Sequence, residues 1–251
     1  MIRKLLALSA DLLFPPRCAA CGKLLAPLES RVLCEECGAQ LARECITQCE
    51  QCFLPMHTCR CVPQPMAKRG IRAYIKLAPY GDKAGHSVAA RMVLSVKKHP
   101  NKRLFRFLAA ELAIGVKAAI AADERTRAKE ALPPLDTVVA FLPRNRAAVR
   151  RYGLDQAALL AKALARELDY PFTPLLRRAK DTAPQKTLSA KARAQNLANA
   201  FEKAAHNEHL RVVLVDDIVT TGAGMAEAAK VLENTEIFAV SVAFTEKRGE
   251  K

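Results

Sequence analysis

No tryptophan occurs among the 251 residues, and aromatic side chains make up only 5% of them. A platform on which exposed nucleic-acid bases stack needs several rings in one groove, so that mode of binding is poorly supported. Long apolar runs are missing as well. The stretch from Met1 to Phe14 sets Arg3 and Lys4 ahead of leucines, as a targeting segment would. Asp11 interrupts it, leaving a run too short to span a membrane and poor as the apolar part of a signal peptide. Because Ile2, Leu5, Leu6, Leu12 and Leu13 recur near helical spacing, a short helix on a cytoplasmic protein is the plain expectation, with peripheral contact at the inner membrane as the alternative. Acidic residues are in deficit: 25 stand against 40 basic ones, a formal charge of +15. That balance favours nucleic acid, anionic lipid or phosphorylated ligands as partners.

What the chain does have is concentrated between 212 and 225, Val-Val-Leu-Val-Asp-Asp-Ile-Val-Thr-Thr-Gly-Ala-Gly-Met. A continuous apolar run reads as a strand buried on both faces of a parallel sheet, and such sheets bind ligands beyond the carboxyl ends of their strands. Asp216 and Asp217 therefore belong at a ligand edge, facing ligand and solvent rather than core. Two adjacent carboxylates repel, so holding both ionised calls for hydroxyl donors or a magnesium ion. Thr220, Thr221, Gly222, Ala223 and Gly224 lack bulk, which lets their backbone amides close around a phosphate at a helix N-terminus. Other phosphate motifs do not fit. A Walker loop needs a lysine followed by Ser or Thr after its last glycine, and a dinucleotide fingerprint needs a third glycine where this chain has Glu227.

Eight of the nine cysteines fall into close pairs: Cys18 with Cys21, Cys34 with Cys37, Cys49 with Cys52, and Cys59 with Cys61. Pairs on tight turns can aim their thiolates at one cation, and two pairs complete a tetrahedral sulfur shell. The spacing predicts two structural zinc sites. Cys18, Cys21, Cys34 and Cys37 form the first, with Gly22 and Gly38 supplying permissive backbone after each knuckle. Cys49, Cys52, Cys59 and Cys61 form the second, where the short Cys-Arg-Cys pair leaves His57 as an alternative ligand and Cys45 as a spare. A module of some sixty residues with so few large apolar side chains depends on metal for its folding free energy.

Residues 1–64 thus read as an amino-terminal helix with a double zinc-finger module, and 65–251 as the main domain, with Pro63 and Pro65 marking the exit. Strand patterns at 71–77, 137–142, 172–177 and 236–244 alternate with helical ones at 86–97, 102–122, 155–168 and 190–199, which implies an α/β fold with a parallel sheet flanked by helices. Charge is uneven. From Phe141 to Gln195 there are twelve basic residues and four acidic ones, and Arg91, Lys97, Lys98, Lys102, Arg103 and Arg106 add a second cationic run. Arg150, Arg151, Arg177 and Arg178 are candidate contacts for the phosphates of a nucleic acid. Arg144, in Phe141-Leu-Pro-Arg-Asn-Arg146, follows a strand and can supply charge-assisted donors to an anion.

Residues 212–222 resemble the diphosphoribosyl-binding motif of type I phosphoribosyltransferases, a hydrophobic run, two acids and Thr-Thr-Gly. Arg150, Gly153, Gln156, Pro184-Gln185, Leu188-Ser189, Asn196-Leu197 and Ala200-Phe201 are similar to the ComF/GntX branch of that family. The resemblance covers nearly the whole chain. It implies a type I phosphoribosyltransferase fold behind a zinc-ribbon module, with PRPP held by Asp216, Asp217, the Thr220–Gly224 loop and Arg144, and magnesium bound with it. Asp216 and Asp217 would then be the catalytic pair. It implies a part in natural competence, with single-stranded DNA and other competence proteins as partners. The alternative is an active enzyme transferring phosphoribosyl to a nucleobase or amine with release of pyrophosphate. Two departures from the branch's pattern stand out: Leu142-Pro-Arg-Asn145 replaces a Val-Pro-Leu-His type segment, and Tyr152-Gly-Leu-Asp-Gln156 replaces Arg-Gly-Phe-Asn-Gln.

Overall fold

The computed structural model describes residues 15–27, 31–82, 85–96, 101–179, 199–206 and 210–245. The expected amino-terminal helix, all of the helix expected at 190–199 but its last residue, the motif residues from Pro184 to Leu197, and Lys97 and Lys98 lie outside them.

Four strands make the central sheet: β1 (Ile71–Pro79), β4 (Asp136–Phe141), β7 (Leu210–Val219) and β8 (Glu236–Phe244), in the order β1-β8-β7-β4 and all parallel. All their carboxyl ends therefore open on one edge. Strand residues alternate between two cores, as a period of two requires. Val213, Val215, Phe238 and Val240 face one, and Val212, Leu214, Ile237 and Ala239 face the other. Each of the Val, Leu, Ile and Phe side chains among them, fully buried, stabilises the fold by about 1.5–3 kcal/mol. β2 (Gly81–Asp82) and β3 (Gly85–His86) form a small antiparallel ladder after β1.

Helices cover both faces. α1 (Glu35–Cys45) belongs to the cysteine-rich segment; α3 (Val88–Ser95), α4 (Lys102–Lys129) and α6 (Gln156–Leu168) bring Met92, Leu108, Leu112, Leu160 and Leu164 to the first core. α2 (Gln64–Ala67) and α7 (Ala223–Val231) lie on the second through Met66 and Met225. The cysteine-rich segment shares the first core through Cys18, Leu25 and Leu41. It also caps α3, since the Glu44 carboxylate accepts from Val88 N–H at 2.9 Å, where a negative charge suits a helix N-terminus.

Three expectations shift. The helix expected over 102–122 runs on to Lys129, and its Asn101 cap accepts from the amides of Arg103 and Leu104. The strand expected at 172–177 is broken by Pro174, which cannot donate to a ladder. Phe172 makes only a parallel bridge to Val139, and β5 (Leu176–Arg178) pairs instead with β6 (Phe201–Lys203). Gly38 is not a left-handed turn residue after its knuckle but part of α1, whereas Gly22 has φ +78° as expected.

Candidate functional site

β4 stops pairing with β7 at the register of Phe141 with Val215, while β7 continues beside β8 as far as Val219. The acid pair lies just past the point where β4 ends. Here the backbone amides of Asp217 and Ile218 are taken up by the carboxylates of the strand itself, Asp216 Oδ1 at 2.8 Å and Asp217 Oδ1 at 2.9 Å. Asp217 also accepts from Arg144 Nη2 through Oδ2 at 3.2 Å. Both acids stand at the expected edge, but they are turned in more than expected: Asp216 is half-buried and Asp217 is 9% exposed. Burial pushes the Asp216 carboxyl well above its ordinary range, and the neighbouring Asp217 adds to the shift.

Arg144 is held from behind. Asp155 caps α6, accepting from Ala158 N–H, and its second oxygen accepts from Arg144 N–H at 2.9 Å. Its pKa is raised, chiefly by burial. Among the described residues, Arg144 Nη1 is buried with no hydrogen-bond partner, a cationic donor left over beside the acid pair. Tyr80, at the end of β1, donates its N–H to Phe244 O at 2.7 Å, and burial followed by the charge of Asp217 raises its hydroxyl's pKa. Asp155 and Tyr80 were missed as site residues. A glycine followed two residues later by Asp, ahead of a helical pattern, is an N-cap signal that could have found the first.

The small-residue loop leads straight into α7, whose N-cap is Gly222 at φ +78°, a left-handed backbone that disfavours any Cβ. Thr220 is exposed, and Thr221 Oγ1 accepts from Ala223 N–H. Ala223 and Gly224 form the first turn of α7, so the amides expected to cradle a phosphate are at a helix N-terminus. A side chain on Gly224 would meet Leu142 Cδ2 at 3.1 Å, and one on Gly222 would meet Met66 Sδ at 2.7 Å.

Of the arginines assigned to DNA, Arg150 and Arg151 lie in the last turn of α5 (Arg146–Tyr152). Arg177 is exposed and paired with Glu202 at 3.0 Å. Arg178 is turned inward, over the Phe201 ring at 4.6 Å, with Nε donating to Pro143 O at 3.0 Å; it props the loop that carries Arg144. Lys102, Arg103 and Arg106 are exposed on α4, and Phe105 is buried in the first core.

The eight paired cysteines gather into two groups, Cys18, Cys21, Cys34 and Cys37, and Cys49, Cys52, Cys59 and Cys61, with the four sulfurs of each within 4.8 Å of one another. Each group could hold a metal ion. Cys21 and Cys34 Sγ are 3.7 Å apart, and Cys52 and Cys59 Sγ 3.5 Å. A tetrahedral zinc with Zn–S of about 2.3 Å would set sulfurs roughly 3.8 Å apart, so the donors fit. Burial alone would raise the Cys18 thiol, but the amides of Cys34, Cys21 and Ala20 outweigh it and bring it down to about 6. Burial pushes Cys61 up to about 12. His57 stands outside the second group, with Nδ1 2.8 Å from Cys45 O. Cys45 packs against the first core. Among the described residues, no helix is long and apolar enough to cross a membrane.

Residues 154–251 match the model of the phosphoribosyl transferase domain family. The chain is 30% identical over 224 residues to the DNA utilization protein YhgH of Salmonella typhi, an alignment covering 87% of this chain and 91% of that protein. It is 44% identical over 96 residues to Competence protein F of Haemophilus influenzae, covering 37% of this chain and 42% of that protein. With YhgH of Escherichia coli K12 the identity is 39% over 93 residues, covering 37% of this chain and 41% of that one.

Proposed function

The chain belongs to the ComF family of phosphoribosyltransferase-like proteins, and from that premise we propose that it binds PRPP with magnesium at the β7 edge and single-stranded DNA on its basic surface, acting in DNA uptake or utilization. One arrangement supports this best: two carboxylates at the carboxyl end of β7, directly ahead of a left-handed Gly222 and the N-terminus of α7. The acids suit ribose hydroxyls and a magnesium ion, while the amides of Gly222 to Gly224 suit the 5-phosphate. Magnesium, when bound, offsets the charge of the two acids and of pyrophosphate. Arg144 brings a donor to the same anion. The two cysteine groups hold zinc and keep the amino-terminal segment folded.

Titration calorimetry of the zinc-loaded protein with PRPP and magnesium tests the site. The parent should bind, and Asp216→Ala with Asp217→Ala should not. Equal affinity for both would overturn the assignment.

A second reading, transfer of phosphoribosyl to a nitrogen nucleophile, is favoured by the completeness of the acid pair and loop. Catalysis would consist of positioning and charge stabilisation, with Arg144 against the leaving pyrophosphate. Pyrophosphate release from PRPP across nucleobases, with and without single-stranded DNA, separates the two readings.

A further inference from the structure

Between Cys59 and Met66 the chain touches three parts of the molecule. Arg60, the one residue separating Cys59 from Cys61, reaches α4: Nη2 donates to Gly115 O at 3.1 Å, and Nη1 to His57 O at 3.0 Å and Cys59 O at 2.9 Å. Gly115 is needed there, because a Cβ would lie 2.9 Å from Ile75 Cγ2 and 3.1 Å from Arg60 Nη2. From the sheet, Lys76 on β1 is 2% exposed and places Nζ 3.2 Å from Cys59 Sγ. Burying an ammonium that deeply demands a strong partner, and four thiolates around a divalent cation carry a net negative charge. Cys61 N–H also donates to Cys59 Sγ at 3.4 Å. The chain then passes Pro63 into α2, whose Met66 is fully buried and fills the space where a Gly222 side chain would stand. One short segment thus joins a candidate metal ligand to the back of the phosphate loop.

We propose that metal occupancy of Cys49, Cys52, Cys59 and Cys61 is coupled to the conformation of the Thr220–Gly222 loop through Arg60, Lys76 and Met66. Arg60 and Lys76 are positioning residues for the metal, and Met66 is one for the loop. The inference rests on the zinc reading of this group. Only its reciprocal arm, in which a ligand in the loop slows loss of the metal, also rests on PRPP binding, since coupling free energy is shared by both sites.

Amide hydrogen exchange and zinc release on the intact, zinc-loaded chain test it. Lys76→Met keeps all four thiols but removes the ammonium. It should speed release of one of the two zinc ions to a chromogenic chelator by roughly tenfold and raise exchange at the amides of 222–226, with β4 as protected as in the parent. Lys76→Arg should behave nearly as the parent. Cys18→Ser with Cys21→Ser, which removes the first site, should leave exchange at 222–226 unchanged. Faster zinc release from Lys76→Met with unchanged exchange in the loop overturns the coupling, and unchanged release overturns the role of Lys76. Neither measurement uses PRPP. A failure of PRPP to bind would therefore count against the proposed function and the reciprocal arm, and not against the coupling of metal to loop.

Discussion

Arg144 Nη2 and Asp217 Oδ2 lie 3.2 Å apart, joining the loop after β4 to the acid pair on β7. The pair is largely shielded from water, so its charges are felt more strongly than at an open surface. Arg144→Gln should weaken PRPP by about tenfold or more in calorimetry, because it removes a charge-assisted donor from an anion site. Arg144→Lys should restore only part of this, lacking the planar fork. Parent-like affinity in the glutamine variant would place the pyrophosphate elsewhere.

Gly222 should not tolerate a side chain, and for two reasons. A residue other than glycine in the left-handed region costs about 1–2 kcal/mol, and a Cβ here meets Met66. Gly222→Val should lower Tm and abolish PRPP binding. Because Met66 is itself fully buried and its truncation is costly, the clash is read as a difference: Gly222→Ala should cost less in a Met66→Ala background than in the parent. Denaturant melts of the parent, the two alanine variants and the double variant measure this, and an equal cost in both backgrounds would mean that backbone strain alone sets it.

Asp216 makes stability depend on pH in a definite direction. Its folded pKa is raised, so between the unfolded carboxylate value, about 3.9, and the folded one the native state binds more protons than the unfolded state. Stability therefore falls as pH rises through that window. Asp216→Asn should raise Tm at pH 7, by about 2–4 °C for each kcal/mol recovered. The gain should vanish near pH 3. A Tm difference that is the same at both values would show that the carboxyl titrates normally.

At the other end of the sheet, Arg211 is fully buried on β7, 2.6 Å from Asp123 and 3.3 Å from Glu124. Asp123→Ala leaves that guanidinium short of its buried partner and should destabilise by about 3–5 kcal/mol. Glu124→Ala removes a half-exposed partner and should cost less than about 1 kcal/mol. Chemical denaturation measures both, and a larger loss for Glu124→Ala would reverse the assignment.

For nucleic acid, the arginines to replace are Arg150, Arg151 and Arg177. Arg178 is left in place because it supports Pro143. If these three meet phosphates, each alanine should reduce the slope of log affinity against log salt for single strands by about 0.7, equally for all sequences. PRPP binding should persist. An unchanged slope in the triple variant would move the DNA surface to another face.

Much of this was legible because it is local. The run 212–215 carries a strand signature in four consecutive apolar residues, although the strand runs on through both acids to Val219, and the cysteine spacing sets its own geometry. α1 was not foreseen, because the paired cysteines at 34 and 37 read as a knuckle although Glu35 to Cys45 also fit a helix. α5 was not foreseen either, since no helix was assigned between the strand ending at 142 and Gly153. Asp155 looked like a loss of an amide relative to the family pattern, yet its carboxylate is what holds Arg144 in place. The roles of Arg60, Lys76 and Met66 were out of reach, since each depends on a residue far away in the chain. Gly115, Cys59 and Gly222 become their neighbours only when the sheet has formed.

The order of strands has a consequence for synthesis. β8 sits between β1 and β7, with Ile71 paired to Ile237. The amino-terminal strand leaves the ribosome early but has no sheet neighbour until the last described strand is made. During that interval the backbone of β1 has no strand to pair with, and an unpaired strand edge is an aggregation hazard. The cysteine groups, whose ligands are close in sequence, can close long before then. A metal taken up during translation would therefore shield the segment beside β1 while it waits for its partner, and growth under zinc limitation should divert newly made chains into insoluble material.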